Sequence, residues 1–315
     1  MEKSLDIYQI KHRIGSFTVS VLKFVFISCV CYLFLFPLIY LIVSAVQDPV
    51  AAMDLSVIWV PNKLTSWNFK NAIELMDFGR AATVSILLSV CGTLATLLSC
   101  AMAGYGLARF NFAEKKLAFI MVLILIIIPP QTTSMSVFLN FRFFNPLGIV
   151  NAITGTSINL IGSPISLVLP AIFASGIRSG LAIFIFRQFF MGQPKELEEA
   201  AMIDGCGPFK TYYKVMLPLS SPAIITVSVL TFVWYWNDSF FSTMFFTVDN
   251  GPLAAQIEFL RNSFIQDANN AIYSPQEQKG ILAAAAILCI VPPLILYIII
   301  QRKFSESIER TGIVG

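Results

Sequence analysis

Between Lys23 and Asp48 the chain runs for 24 residues without a charge, and between Arg80 and Arg109 for 28. No other feature narrows its possible folds so far. About 20 apolar residues in a helix cross a hydrocarbon layer of about 30 Å, and inside that layer a helix satisfies its own backbone N–H and C=O groups. Six segments meet the length, about 24–47, 81–106, 117–139, 167–190, 217–240 and 280–301, the fourth with Arg178 inside it. The expectation is an all-α membrane protein of six transmembrane helices, residues 1–315 forming a single membrane domain with no short internal repeat. Charge content agrees: 12% of residues are charged, against about 25% in a soluble domain. The first run follows Lys3, Lys11, Arg13 and Lys23 as a signal peptide's would, but its 24 residues exceed an h-region of about 7–15. It reads as a retained span.

Lys and Arg set the orientation, because they favour the cytoplasmic side. With the N-terminus inside, 14 of the 21 Lys and Arg fall in inside segments, six fall outside, and Arg178 lies in a span. Both termini are therefore expected in the cytoplasm, with a loop over 191–216 between the fourth and fifth spans. The outer loops, near 48–80, 142–166 and 248–279, carry turn-formers such as Pro61, Pro146, Gly148 and Gly251.

Several function classes find no footing. A net charge of +3 with no basic tail offers no electrostatic ground for nucleic acid. Cys29, Cys31, Cys91, Cys100 and Cys289 sit in apolar runs as small packers, and Cys206, in the 191–216 loop, reads as a free thiol on the reducing side. His12 is the only histidine, and no Cys, His and Asp cluster has metal-ligand spacing, so neither a metal nor a catalytic residue is expected. A membrane enzyme or a secondary carrier remains an alternative, but it calls for intramembrane acids or a catalytic cluster that the spans do not offer.

The 191–216 loop is the polar stretch that stands out. Pro194 suits a helix start, and Glu196, Glu198 and Glu199 fall in the first turns, where the helix dipole favours anions. Gly205 suits the left-handed residue that ends a helix, and Gly207-Pro208 blocks a simple continuation. Ala200 and Ala201 leave no bulk on one side, so another surface can approach the backbone. An amphipathic connector on lipid headgroups is the plainer reading. However, Arg187, Lys195, Lys210 and Lys214 are matched by Glu196, Glu198, Glu199 and Asp204, so anionic lipid gains little and a protein partner fits better.

Glu199-Ala200-Ala201, then Gly205, then Val215-Met216-Leu217-Pro218 resembles the Glu-Ala-Ala loop of permease subunits of bacterial ABC importers, departing by Val215 for isoleucine. Phe186-Arg187-Gln188-Phe189-Phe190, Ile203-Asp204-Gly205-Cys206, Pro129-Pro130, Trp236-Asn237-Asp238 and Glu309-Arg310-Thr311-Gly312 are similar to its carbohydrate branch, the maltose-transporter-like second permease. The outer loop around Gly155–Ser166 departs from that pattern by its length. The resemblance implies a multi-pass protein of the bacterial cell membrane that works as a heterodimer with a homologous second permease. It also implies two ATPase subunits or one ATPase homodimer, an extracytoplasmic solute-binding protein and a sugar substrate. Glu199, Ala200, Ala201, Asp204 and Gly205 would form the coupling helix that docks on the ATPase. The chain has no cofactor of its own: ATP and Mg²⁺ would belong to the partner, since no G-x-x-x-x-G-K-[ST] phosphate loop occurs here. The same loop motif occurs in importers of other solutes, so a non-sugar substrate stays open.

Arg178 costs about 2.5–3.5 kcal/mol in a span unless it meets water or a partner, and it is a candidate for the translocation path. Trp236 and Asn237 join it, because an aromatic ring stacks on the C–H face of a sugar and an amide hydrogen-bonds its hydroxyls; Trp234 and Tyr235 beside them read equally as an interfacial aromatic belt. Pro129-Pro130 and Pro292-Pro293 are expected to break the backbone ladder of the third and sixth spans.

Overall fold

The computed structural model describes residues 2–53, 60–266 and 272–312. Outer-loop residues 54–59 and 267–271 lie outside the described residues, as do the side chains of His12 and of the Glu309-Arg310-Thr311-Gly312 sequence. Among the described residues the chain is helical, with two isolated antiparallel bridges, Gln47 to Leu64 and Phe144 to Ile158. In order the helices are α1 (Glu2–Val46), α2 (Trp67–Leu75), α3 (Phe78–Arg109), α4 (Lys115–Ile127), α5 (Ser134–Arg142), α6 (Ile149–Thr154), α7 (Ile165–Ile172) and α8 (Ser179–Gly192). There follow α9 (Glu196–Ile203), α10 (Pro208–Thr211), α11 (Leu217–Leu219), α12 (Ser221–Asn237), α13 (Phe240–Phe245), α14 (Leu253–Gln266) and α15 (Pro275–Gly312).

Thr18–Val46, Phe78–Arg109 and Pro275–Ile299 are each long and apolar enough to cross a membrane. Two bent pairs, Lys115–Ile127 with Pro130–Arg142 and Pro208–Leu219 with Ser221–Asn237, raise the number to five among the described residues when each pair is one span. The segment 167–190 is divided between α7 and α8. Here Ala174 and Arg178 adopt positive φ of 54° and 53°, and Phe173 and Ser175 both donate to the Pro170 carbonyl, closing a tight turn where a continuous helix would have carried on.

The proline pairs behave differently from each other. At Pro129-Pro130 the chain turns by 98°. A residue before proline is pushed out of the helical region, and Ile128 and Pro129 are extended at ψ 122° and 129°. Thr132, Thr133 and Ser134 then donate their hydroxyls to the carbonyls of Pro129, Pro130 and Gln131, which stabilises the bend. At Pro292-Pro293 the ladder loses two N–H donors but the chain does not turn out of the helix, and α15 includes both residues. Leu294, Ile295 and Leu296 follow, with no hydroxyl to hold carbonyls in a turn. Proline's φ near −65° is itself helical.

The described helices form two compact units, Met1–Ala72 with Ala271–Ile287, and Ile73–Asn270 with Leu288–Gly315. In the first unit the end of α1 is held by Asn68, whose buried amide donates to the carbonyls of Ala45 and Gln47 at 2.9 Å each. Those carbonyls have no partner within the helix. Gly280 leaves the room Asn68 needs: a Cβ there would lie 2.6 Å from Asn68 Oδ1.

In the second unit α3 is the central helix. Its small residues let neighbours approach to backbone distance, the usual device where lipid removes the hydrophobic drive between helices. Gly104 faces α8, where a Cβ would lie 2.7 Å from Phe186 Cβ and 3.1 Å from the Ile183 carbonyl; Gly92 faces α12, under the Tyr235 ring. Cys100, Ala101 and Tyr105 of α3 then share one core with Ile183, Phe186 and Phe190 of α8, Met216, and Val227 of α12. Cys29, Cys31 and Cys91, expected as packers, are exposed, whereas Cys100 is buried.

Candidate functional site

The 191–216 loop folds as two short helices around a reversal. α8 ends at Gly192, and Gln193 is extended, as suits a residue before Pro194. Helix α9 starts at Glu196 with Glu196, Glu198 and Glu199 in its first turn. Its far end is a Schellman cap: Gly205 at φ 77° donates to the Met202 carbonyl at 3.0 Å, and Cys206 donates to the Ala201 carbonyl at 2.9 Å. Pro208 opens α10 at its first position, and Tyr212–Met216 is a π-helical turn leading to α11.

The loop has two faces. Ala201 is buried, together with Thr211 and Met216. Glu199, Ala200, Asp204 and Gly205 are exposed, and beside them stand Ile203, Phe209 and Tyr213 at 86%, 82% and 71% exposure. The two alanines therefore differ in role. Ala200 faces outward, while Ala201 packs inward, which modifies the reading of both as one docking surface.

The inward side carries a contact that sequence reasoning did not reach. Arg109, the last residue of α3, pairs with Glu198 of α9, Nε to Oε1 at 3.1 Å, with side chains only 7% and 12% exposed. Its terminal nitrogen donates to the Gln193 carbonyl at 2.7 Å. The balance of charge within the loop gave no sign of this, because the base that takes up Glu198 lies outside the loop. The nearest hint is that Arg109 ends a long apolar run, where a base can reach a neighbouring segment. Above the pair, Tyr105 packs on Phe190, Tyr212 and Phe110, with ring centroids 5.3, 4.9 and 5.7 Å apart.

Of the path candidates, Arg178 is exposed at the start of α8, and its guanidinium lies 5.2 Å from the Trp234 ring. Asn237, one helical turn beyond Trp234, is exposed too. Trp236 is not at that surface. It is buried beside Ala81 and Leu253, stacked on Phe232 at 5.8 Å, and donates from Nε1 to the Cys289 carbonyl at 3.0 Å. The structure thus brings Arg178 to Trp234, which the sequence did not single out as a path residue, and sends Trp236 into the core.

Residues 95–310 match the sequence profile described as binding-protein-dependent transport system inner membrane component. The chain belongs to this family. It is accordingly an inner-membrane permease component of a transport system that depends on a binding protein, and a transporter subunit, not an enzyme. The matched region takes in the second half of α3, the whole 191–216 loop and all the path candidates.

Among its relatives, the chain is similar to the arabinooligosaccharides transport system permease protein AraQ of Halalkalibacterium halodurans, 29% identical over 91% of this chain and 93% of that protein. It is similar also to the osmoprotective compounds uptake permease protein GgtD of Synechocystis, 26% identical over 90% and 88%. The fold of this permease is shared with a chain of a bacterial ABC transporter involved in the import of the acidic polysaccharide alginate, at a TM-score of 0.71 and 19% identity, covering 90% of this chain and 96% of that one.

Proposed function

We propose that the chain is one of two homologous permeases that together form the translocation path of an ATP-driven sugar importer, with six spans and both termini in the cytoplasm. In this reading residues 1–315 are a single membrane domain, and the 191–216 loop docks on a separate ATPase, which supplies ATP and Mg²⁺ chemistry that this chain lacks. Glu199, Ala200, Asp204 and Gly205 offer the contact surface, with Ala201 fixing the helix from behind. The observation that carries the proposal is the two-faced loop: a capped helix and the turns after it, which expose Ile203, Phe209 and Tyr213 although the inner side is anchored. Exposed apolar side chains clustered on a rigid element are what a protein partner covers.

The sugar assignment draws support from the likeness to the arabinooligosaccharide permease. Arg178 over Trp234, with Asn237 a turn away, offers a solute passing that surface a cation, an aromatic face and an amide. The likeness to an osmoprotectant permease supports a second reading, an importer of another small polar solute.

The test is purification from cells that make the whole transport system. An ATPase should co-purify, and its activity should rise with binding protein loaded with an oligosaccharide. Gly205→Asp should leave the protein inserted and abolish that stimulation. A chain that purifies alone and transports unaided would refute the docking reading; stimulation by loaded binding protein with a non-sugar solute alone would replace the first reading with the second.

A further inference from the structure

We propose that Arg109 is a positioning residue, the joint through which movement of α9 reaches the membrane helices; the inference rests on reading α9 as the ATPase-docking helix. Helix α9 has eight residues, and its link back to α8 is Gln193-Pro194-Lys195, which lies outside both helices. Its other end passes through the Gly205 reversal into α10, so both of its connections are non-helical and leave it room to tilt when pushed. Arg109 removes that freedom, because one guanidinium holds Glu198 on α9 and the Gln193 carbonyl at the end of α8 while its own backbone ends α3. With so little exposure the pair is weakly screened by salt, unlike a surface ion pair. The two adjacent acids divide the work: Glu199 faces out toward a partner, and Glu198 faces in toward Arg109.

What Arg109 moves is long and stiff. Helix α3 has 32 residues and so extends roughly 48 Å at about 1.5 Å per residue. It meets the backbone of α8 at Gly104 and the Tyr235 ring of α12 at Gly92, and Ser99 Oγ donates to the Ala171 carbonyl of α7 at 2.6 Å. A displacement delivered at Arg109 is therefore shared by α8, which begins just after Arg178, and by α12, which carries Trp234. The joint connects the docking loop to the candidate path without a soft element between them.

The experiment uses the complete transporter reconstituted in liposomes, with Arg109→Gln, Glu198→Gln and the reciprocal Arg109→Glu/Glu198→Arg. Expected for each single variant is retention of the co-purified ATPase and of ATP hydrolysis, with solute transported per ATP reduced about tenfold or more, and partial recovery in the reciprocal variant. Single variants that assemble and keep wild-type transport per ATP overturn the proposal. Absence of a co-purifying ATPase from the wild type would instead sink the docking reading beneath it. Should the single variants fail to insert, the wild-type side chains carry the test through paired spin labels at Lys195→Cys and Met102→Cys, with the native cysteines replaced. Their separation should stay constant between nucleotide-free and nucleotide-bound complexes, and a change in it overturns the joint.

Discussion

Gly104 lies so close to Phe186 that a Cβ on the glycine would fall 2.7 Å from the Cβ of the phenylalanine and 3.0 Å from the backbone nitrogen of Arg187. The neighbour at that crossing is backbone as well as side chain, so it cannot rotate away. Gly104→Val should cost more than the about 1–3 kcal/mol typical of overpacking and lower the thermal midpoint of the purified protein. Gly106→Val on the same helix, where nothing but Phe110 at 3.9 Å approaches, should be mild. Equal losses at the two positions would show that close packing of α3 on α8 does not set the stability.

Gly205 has nothing within 4 Å of where its Cβ would lie, so its requirement is conformational, set by φ of 77°. Gly205→Ala should destabilise the α9 cap by about 1 kcal/mol, and Gly205→Asn by less, since asparagine tolerates the left-handed region. Limited proteolysis of the loop should rank glycine, asparagine, alanine from most to least resistant. Because aspartate tolerates that region as asparagine does, loss of stimulated hydrolysis in Gly205→Asp would come from a new charge beside Asp204 on the exposed face, with the loop still folded.

Asn68 donates to two carbonyls at the end of α1 from a fully buried position. Asn68→Ala leaves both unpaired, at about 1–3 kcal/mol for each buried group that stays dry. Faster hydrogen exchange confined to the last turn of α1 and the start of α2 is the expected signature. Unchanged exchange there would mean that other groups hold the helix end.

Arg178 is strained, at φ 53°, and a left-handed non-glycine residue costs about 1–2 kcal/mol. Arg178→Gly should raise thermal stability relative to Arg178→Ala, since only glycine relieves the backbone. If the guanidinium serves the solute, both variants should raise the solute concentration needed for half-maximal transport. A glycine variant transporting like the wild type would leave Arg178 with a structural role only.

Lys63 hydrogen-bonds Asp48 at 3.1 Å and is the main reason the carboxyl is held below the ordinary range, with the Val50 and Ala51 amides adding to it. A carboxylate with a depressed folded-state pKa contributes stability that is whole above the unfolded value of about 3.9 and disappears as pH falls through the folded one. Protease resistance of the segment near Asp48 should therefore be flat around neutrality and drop only in strong acid. Lys63→Met should move that drop to higher pH.

Much of the architecture was legible because its causes are local. The uncharged length of 81–106 foretold α3, the acids after Pro194 and the glycine at 205 foretold α9 and its cap, and Pro129-Pro130 foretold a break. Pro292-Pro293 carried the same local signal and misled, because the course of the chain at proline depends on the groups around it: Thr132, Thr133 and Ser134 bond the carbonyls of Pro129, Pro130 and Gln131 in a turn, whereas the Cys289 carbonyl, which Pro293 leaves without a helical donor, takes Trp236 Nε1 and the helix goes on. The division of 167–190 was invisible for a related reason. Its hydropathy is that of one span, and the turn at Phe173–Arg178 is made by backbone bonds to Pro170 and by the closeness of Gly176 to Tyr235, a residue far along the chain.

By itself the sequence determined the solvent this protein lives in, the helical runs, the capped 191–216 loop and the family to which it belongs, since hydrophobic length, helix-end chemistry and motif spacing are properties of contiguous residues. Tertiary structure alone decided which side chains do what. It turned Ala201 inward and Ala200 outward, buried Trp236 while leaving Asn237 exposed, set Arg178 over Trp234, and joined Arg109 to Glu198. Each of those outcomes depends on which helices approach one another closely, and that is settled by the small residues of α3 meeting distant segments, a contact that no window of neighbouring residues contains.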